Sequence, residues 1–147
     1  FNADATNAGT DGYIAELKSL SVRLGIGDRV VFTGYRSDVQ HILPQLTVSV
    51  QPSLSEGLSN TVLESMAAGT ALVATLVGGT GEVVRDGENG LLVPAEDPRA
   101  IATAVERVLG DPDLAVRLGA AAQACIRDHY SVGRMVEQTS DLYEGLR

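Results

Sequence analysis

Residues 47–75 read TVSVQPSLSEGLSNTVLESMAAGTALVAT, and this stretch decides the fold. It begins with an alternating β-branched run, residues 47–51, which ends at Pro52 and predicts a strand. A polar loop and a helix-forming run at 60–68 follow, and Gly69 is a typical helix stop. The apolar run at 71–75 predicts a buried strand. A strand, a helix and a second strand in this order favour a right-handed crossover between parallel strands.

Outward from this stretch, further elements are predicted by apolar spacing, turn residues and caps. A helix is expected at 11–24, with Thr10 or Asp11 as its N-cap and Gly25 as its stop. A buried strand is expected at 29–33. The other expected elements are a short helix at 38–46, whose last turn Pro44 disturbs, a turn at 86–90, a strand at 91–93, and helices at 100–109, 112–128 and 132–146.

This alternation predicts an α/β fold, a Rossmann-like doubly wound parallel sheet with a helical C-terminus. A chain of 147 residues has room for one domain with a sizeable core, so residues 1–147 are expected to form a single domain. In such sheets ligands bind at the carboxyl ends of the strands.

Composition limits the function classes. The net charge is −8, and the few basic residues are scattered, which argues against nucleic-acid binding. The longest apolar runs are far shorter than the roughly 18 residues of a membrane span. The first residues do not resemble a signal peptide, and the single cysteine, Cys125, forms no internal disulfide. A cytoplasmic protein is therefore expected. Because the first residue is Phe rather than Met, the natural N-terminus is expected to lie elsewhere.

The passage from loop to helix, residues 56–64, holds the residues with the clearest chemistry. Gly57 allows close approach to a ligand. Ser59, Asn60 and Thr61 are good N-cap residues, and a helix start binds phosphate through its N–H groups and its dipole. Glu56 and Glu64 flank this position, and carboxylates accept paired hydrogen bonds from vicinal hydroxyls.

Two plainer interpretations compete with ligand binding. Thr61 and Glu64 have the spacing of a capping box, in which Glu64 reaches back to its own helix start. The plainer interpretation of Glu56 is a solvated carboxylate in a loop. Spacing alone does not choose between these interpretations and a phosphate site between two diol acceptors.

Two motifs resemble the C-terminal, donor-binding domain of GT-B glycosyltransferases of group 1, or family 4. The first is Pro-Ser-x-x-Glu-Gly, starting at Pro52, followed by Leu-Glu-Ser-Met-Ala-Ala-Gly-x-x-x-Val-Ala-Thr, so that Glu56 and Glu64 form E-x7-E. The second runs from Gly78 to Val93: Gly-Gly-Thr-Gly-Glu-Val-Val, then Asp-Gly-Glu-Asn-Gly-Leu-Leu-Val. The resemblance extends from about residue 24 to residue 108, and more loosely beyond. Many family members have Gly-Phe-Gly or Gly-Leu-Pro where this chain has Gly57-Leu58-Ser59.

The resemblance implies a role for each matching position. Glu56 would contact hydroxyls of the donor sugar and orient it, and Glu64 would bind the ribose diol. Gly57 and the backbone amides of Leu58, Ser59, Asn60 and Thr61 would hold the diphosphate. Gly34, Tyr35 and Arg36 would lie near the nucleobase. The substrate would be a nucleoside diphosphate sugar, and neither a cofactor nor a metal is expected.

It also implies that the chain lacks the first strands of this domain, which carry an Arg and a Lys for the diphosphate, and an N-terminal acceptor domain. The chain alone is then expected to bind donor weakly and to catalyse little. Pairing between two copies would be one way to complete the sheet. The intact enzyme would be a retaining hexosyltransferase with peripheral membrane contact as a further expectation. The alternatives are a non-catalytic nucleotide-sugar-binding or scaffold module, and a nucleotide-sugar epimerase of the same fold, which the E-x7-E context disfavours.

Other chemistry-bearing residues have plainer interpretations. Asp111-Pro112-Asp113 has the D-x-D form of metal-dependent glycosyltransferases, but it stands between two predicted helices, where N-capping is expected. His41 and His129 have no partners at metal-ligand spacing. Cys125 is expected in the core. The glycines at 78, 79 and 81 lack the context of a dinucleotide motif and predict a structural turn.

Overall fold

The computed structural model describes residues 8–145, and their side chains from residue 12 onward. The chain divides into two compact units, Phe1–Ser37 and Asp38–Arg147. Each unit is described by itself.

The first unit contains helix α1, Ala8–Arg23, which confirms the predicted helix and extends its start beyond the predicted caps. Gly25 ends it with φ +69°, and a 3-10 turn follows at Gly27–Arg29. The predicted buried strand at 29–33 is wrong: residues 30–33 form neither helix nor strand, and Val31 is 82% exposed. A strand needs a neighbour for its backbone N–H and C=O groups, and the described part of this unit contains no second strand.

The second unit contains a parallel sheet of three strands among the described residues: β1, Ser49–Gln51; β2, Leu72–Thr75; and β3, Leu91–Val93. Their order is β1-β2-β3, with Val50 opposite Val73 and Ala74 opposite Leu92. All four residues of β2 are buried, as expected of a strand covered on both faces. These observations confirm the α/β class and the strands predicted at 47–51, 71–75 and 91–93.

Helices connect and follow the strands. Before β1 lies the short helix α2, Val39–Ile42, which continues into a 3-10 turn at Leu43–Gln45 because Pro44 cannot extend an α-helix. The remaining helices are α3, Asn60–Ala67; α4, Thr80–Val83; α5, Pro98–Gly110; α6, Pro112–His129; and α7, Val132–Glu144. Apart from α4, which is shorter than a typical helix, each matches a predicted helix to within a few residues.

Two apolar clusters pack on the two faces of the sheet. Alternate residues of β2 belong to different clusters, Val73 to one and Leu72 with Ala74 to the other. The first cluster adds residues of α5 and the first half of α6, including Val108 and Leu118. The second adds Val62 and Met66 of α3 and Val83 of α4. Cys125 packs, partly buried, against the second cluster. The doubly wound arrangement is thus confirmed.

Two helical glycines should respond to alanine in opposite directions. A Cβ on Gly119 in α6 would overlap the carbonyl oxygen of Gly69, so Gly119→Ala should destabilise the fold by about 1–3 kcal/mol. Gly133 in α7 has open space around it, so Gly133→Ala should stabilise it by roughly 0.5–1 kcal/mol through helix propensity. Thermal unfolding followed by circular dichroism measures both. A higher melting temperature for both variants would show that α6 does not pack this closely.

Candidate functional site

The candidate site lies at the carboxyl ends of β1 and β2. The loop at 52–59 leaves β1 and leads into α3, and the loop at 76–79 leaves β2 and leads into α4. In an open parallel sheet this edge is where ligands bind. Two side chains near the other end of β1 hold α3 in place, because the hydroxyls of Ser49 and Ser65 are buried and 2.9 Å apart.

The start of α3 presents backbone N–H donors that have no acceptor in the described part of the chain. Ser59 is the N-cap, with φ −73° and ψ 122°, and its side chain makes no capping hydrogen bond. Within the described range, no acceptor is found for the backbone N–H groups of Leu58, Ser59, Asn60 and Thr61. Helix N-termini leave such donors open, and the dipole favours an anion beside them. The four amides that the resemblance assigned to a diphosphate are therefore available.

The capping-box interpretation of Thr61 and Glu64 is wrong. Because the helix begins at Asn60 after Ser59, the third helical position is the apolar Val62, which cannot reach back with a hydrogen bond. Glu64 is the fifth residue of α3 and is exposed.

The Glu64 carboxylate makes no hydrogen bond or ion pair with any residue in the described part of the chain. It lines a depression of about 320 Å³, together with Val39, Gln40, Leu43, Ala67 and Ala68. Its carboxylate is thus open to a ligand.

Glu56 is half-buried, and a chain of side chains orients it. The Ser53 hydroxyl donates to Glu56 Oε1 at 3.0 Å, and Gln51 Nε2 donates to Ser53 Oγ at 2.9 Å. The loop is fixed in turn to β2, because Thr75 Oγ1 donates to the carbonyl of Ser53 at 2.6 Å. Glu56 is therefore not a loose, fully solvated carboxylate. Neither Gln51 nor Thr75 was predicted from the sequence as a site residue, although both end predicted strands.

The glycines after β2 also contact the loop at 52–59. The N–H of Gly79 donates to the carbonyl of Gly57 at 2.7 Å. Gly78 has φ +47°, and a Cβ there would overlap the carbonyl oxygen of Glu56. The structural turn predicted at these glycines is present, and it also supports the backbone that carries Glu56.

Gly34, Tyr35 and Arg36 belong to the first unit, and their geometry is given within that unit only. Gly34 has φ +63°, and Tyr35 is 96% exposed. Their role near a nucleobase remains a prediction.

The remaining candidates have structural explanations. Asp111 caps α6 by accepting a hydrogen bond from the Leu114 N–H at 2.9 Å, which confirms the capping prediction for this motif. His41 and His129 are exposed. Among the described residues there is no group of three or more His, Cys, Asp or Glu able to hold a metal ion. None of the described helices combines the length and apolar character that crossing a membrane requires.

The fold and the open helix start define an α/β domain suited to an anionic ligand at its sheet edge. The chain belongs to the group 1 glycosyltransferases: the family described as "Glycosyl transferases group 1" matches residues 3–111. It is 35% identical over 131 residues to a lipopolysaccharide core biosynthesis mannosyltransferase, LpcC, of Rhizobium leguminosarum bv. viciae, a match that covers 89% of this chain and 37% of that protein.

Solved structures share the fold. The HepE protein of Anabaena, solved in complex with UDP, superposes with a TM-score of 0.90 at 25% identity, over 93% of this chain and 38% of HepE. A sucrose-phosphate synthase from Thermosynechococcus elongatus superposes with a TM-score of 0.84 at 32% identity, over 90% of this chain and 34% of that one. The chain spans 33% and 37% of the length of two curated relatives that it matches, and 25–30% of six others.

Proposed function

We propose that this chain is the donor-binding part of a retaining glycosyltransferase. The intact enzyme would transfer a sugar from a nucleoside diphosphate sugar to an acceptor hydroxyl. The observation that carries the proposal is the start of α3, where four backbone N–H groups with no acceptor among the described residues lie between the carboxylates of Glu56 and Glu64 in the sequence.

Each part of this arrangement suits one part of such a donor. The open N–H groups and the helix dipole stabilise a diphosphate, including the charge that develops on it as it leaves. Glu56, oriented by Ser53, would accept hydrogen bonds from sugar hydroxyls and position the anomeric carbon. Glu64 would accept two hydrogen bonds from a ribose diol. No step in this scheme needs a metal ion or a cofactor.

The comparisons support a uridine nucleotide as the first ligand to test. HepE, which shares the fold, has been solved with UDP-glucose as well as with UDP. Membership of the group 1 glycosyltransferases also fits the E-x7-E motif of residues 56–64.

We further propose that an acceptor-binding domain outside this chain completes the enzyme, in the cytoplasm and in peripheral contact with a membrane. The outer edge of β1 has no partner strand among the residues described. Strands from outside the chain, or from a second copy in a homodimer, would have a free edge to pair with there.

Calorimetric titration of the folded chain with UDP-glucose, GDP-mannose and ADP-glucose tests donor binding. We expect weak, base-selective binding with Kd of roughly 0.1–1 mM, equivalent to about −4 to −5.5 kcal/mol, because the acceptor-binding domain that we propose to complete the donor site lies outside this chain. No sugar transfer is expected from the chain alone. A sample that is folded by circular dichroism yet binds none of the three would refute the donor site and favour a scaffold role.

A further inference from the structure

A polar cleft of about 410 Å³ lies in the second unit, between α4, the end of α6 and the first half of α7. The side chains that matter for its chemistry are Glu82, Arg85, His129, Tyr130, Arg134 and Gln138. None of them belongs to the proposed donor site. We call this feature the α6–α7 cleft.

We propose that the α6–α7 cleft binds a phosphate group, either that of a phosphorylated small molecule or inorganic phosphate itself. It gathers two arginines in a chain that has only 11 basic residues and a net charge of −8. An arginine side chain offers a planar fork of N–H donors that matches phosphate oxygens in pairs. Gln138 and Tyr130 add neutral polar groups to the same lining.

Protein carboxylates leave most of the arginine donors open. Arg85 Nη1 lies 3.9 Å from Glu88 Oε2, and Arg134 Nη1 lies 3.7 Å from Glu137 Oε2. Both distances exceed a hydrogen bond. The side chains of these pairs are 51–73% exposed, and exposed ion pairs contribute little to stability. The two ion pairs therefore stabilise the fold too little to explain why both arginines line the same cleft.

Asp128 and Glu82 are further acidic residues of this region. Asp128 points its carboxylate at Arg127, with contacts of 2.8 and 3.3 Å, and this hydrogen bonding lowers the pKa of Asp128. Glu82 is the one acidic side chain in the lining, and it is exposed. The lining holds two arginines and one glutamate, and the carboxylates of Glu88 and Glu137 lie within 4 Å of those arginines at its rim.

The walls of the cleft are joined by a direct contact. The hydroxyl of Tyr130, just after α6, donates to the carbonyl of Glu82 in α4 at 3.3 Å. Ser131 caps α7 by accepting a hydrogen bond from the Arg134 N–H at 3.3 Å, which fixes the turn from which the Arg134 side chain extends. The volume lies within the range of small-molecule sites, so it can hold a phosphorylated sugar as well as free phosphate.

The test is a titration of the folded chain, followed by NMR, with glucose 6-phosphate, inorganic phosphate and glucose. Both phosphates should shift amide signals around Tyr130 and Arg134, and glucose should not. Tighter binding of glucose 6-phosphate would identify a sugar phosphate as the ligand, and equal binding would identify free phosphate. Arg134→Gln and Arg85→Gln should each weaken binding at least tenfold. Arg117→Gln, an exposed arginine of α6 that does not line the cleft, should leave it unchanged.

A titration in the presence of saturating UDP-glucose separates this site from the donor site. Phosphate binding at the cleft should persist there, and it should also persist if the chain binds no nucleotide sugar at all. Absence of binding by both phosphates, equal losses in all three arginine variants, or displacement by UDP-glucose would each overturn the proposal.

Discussion

Gly78→Ala is expected to be the most damaging single substitution in the loops of the candidate site. Its Cβ would overlap the carbonyl oxygen of Glu56 and lie 2.8 Å from that of Gly57, and φ +47° is strained for any residue with a Cβ. Both obstacles are backbone atoms, which cannot rotate away as a side chain can. We expect the free energy of unfolding to fall by about 3 kcal/mol or more. This corresponds to a melting temperature lower by roughly 6–12 °C, which calorimetry measures.

Gly87→Ala is the matched control. Gly87 also has a positive φ, +75°, but no atom within 4 Å would meet its Cβ. Only the backbone strain of about 1–2 kcal/mol should remain. Equal melting temperatures for the two variants would mean that Gly78 does not lie in close contact with the Glu56 backbone.

Glu64→Ala should cause the largest loss of ligand affinity without loss of fold. If Glu64 binds the ribose diol, the variant loses hydrogen bonds to a charged group, which contribute about 1.5–3 kcal/mol. That corresponds to a roughly 10- to 100-fold higher Kd for UDP-glucose by calorimetry. The melting temperature should hardly change, because Glu64 is exposed and its carboxylate contacts no partner in the described chain.

Glu106→Ala on α5 is the control for this measurement. Glu106 is likewise an exposed helical glutamate, and it lies on a different helix from the candidate site. Its replacement should leave the Kd unchanged. If Glu64→Ala binds UDP-glucose as tightly as Glu106→Ala does, Glu64 is not the ribose ligand.

The sequence predicted the second unit well because its signals are local. Pro52, Gly69 and the turn at 86–90 mark the ends of elements whose apolar spacing is clear. The strand at 29–33 was wrong for a non-local reason. Its β-branched residues have the right propensity, but a strand exists only beside another strand, and local composition does not reveal the neighbour.

The residues of the candidate site could be predicted from the sequence, but the contacts that hold them in position could not. The open helix start and the two glutamates follow from cap residues and spacing. The position of the N-cap decided between a capping box and an available Glu64, and three adjacent cap-forming residues at 59–61 left that choice open. The hydrogen bonds that orient Glu56 link residues 51, 53, 56 and 75, and the contact with Gly78 joins two loops that are separate in the sequence.

The contact between Gly78 and the Glu56 carbonyl has a consequence for protein engineering. Loop 52–59 has its shape set partly by the backbone of loop 76–79, through the close approach of Gly78 and the hydrogen bond from Gly79 to Gly57. A graft that exchanges loop 52–59 with a relative's loop, in order to change donor preference, would place the new loop against a loop 76–79 whose backbone does not fit it. Exchanging both loops as one cassette, together with Thr75, should preserve the geometry that either graft alone would lose.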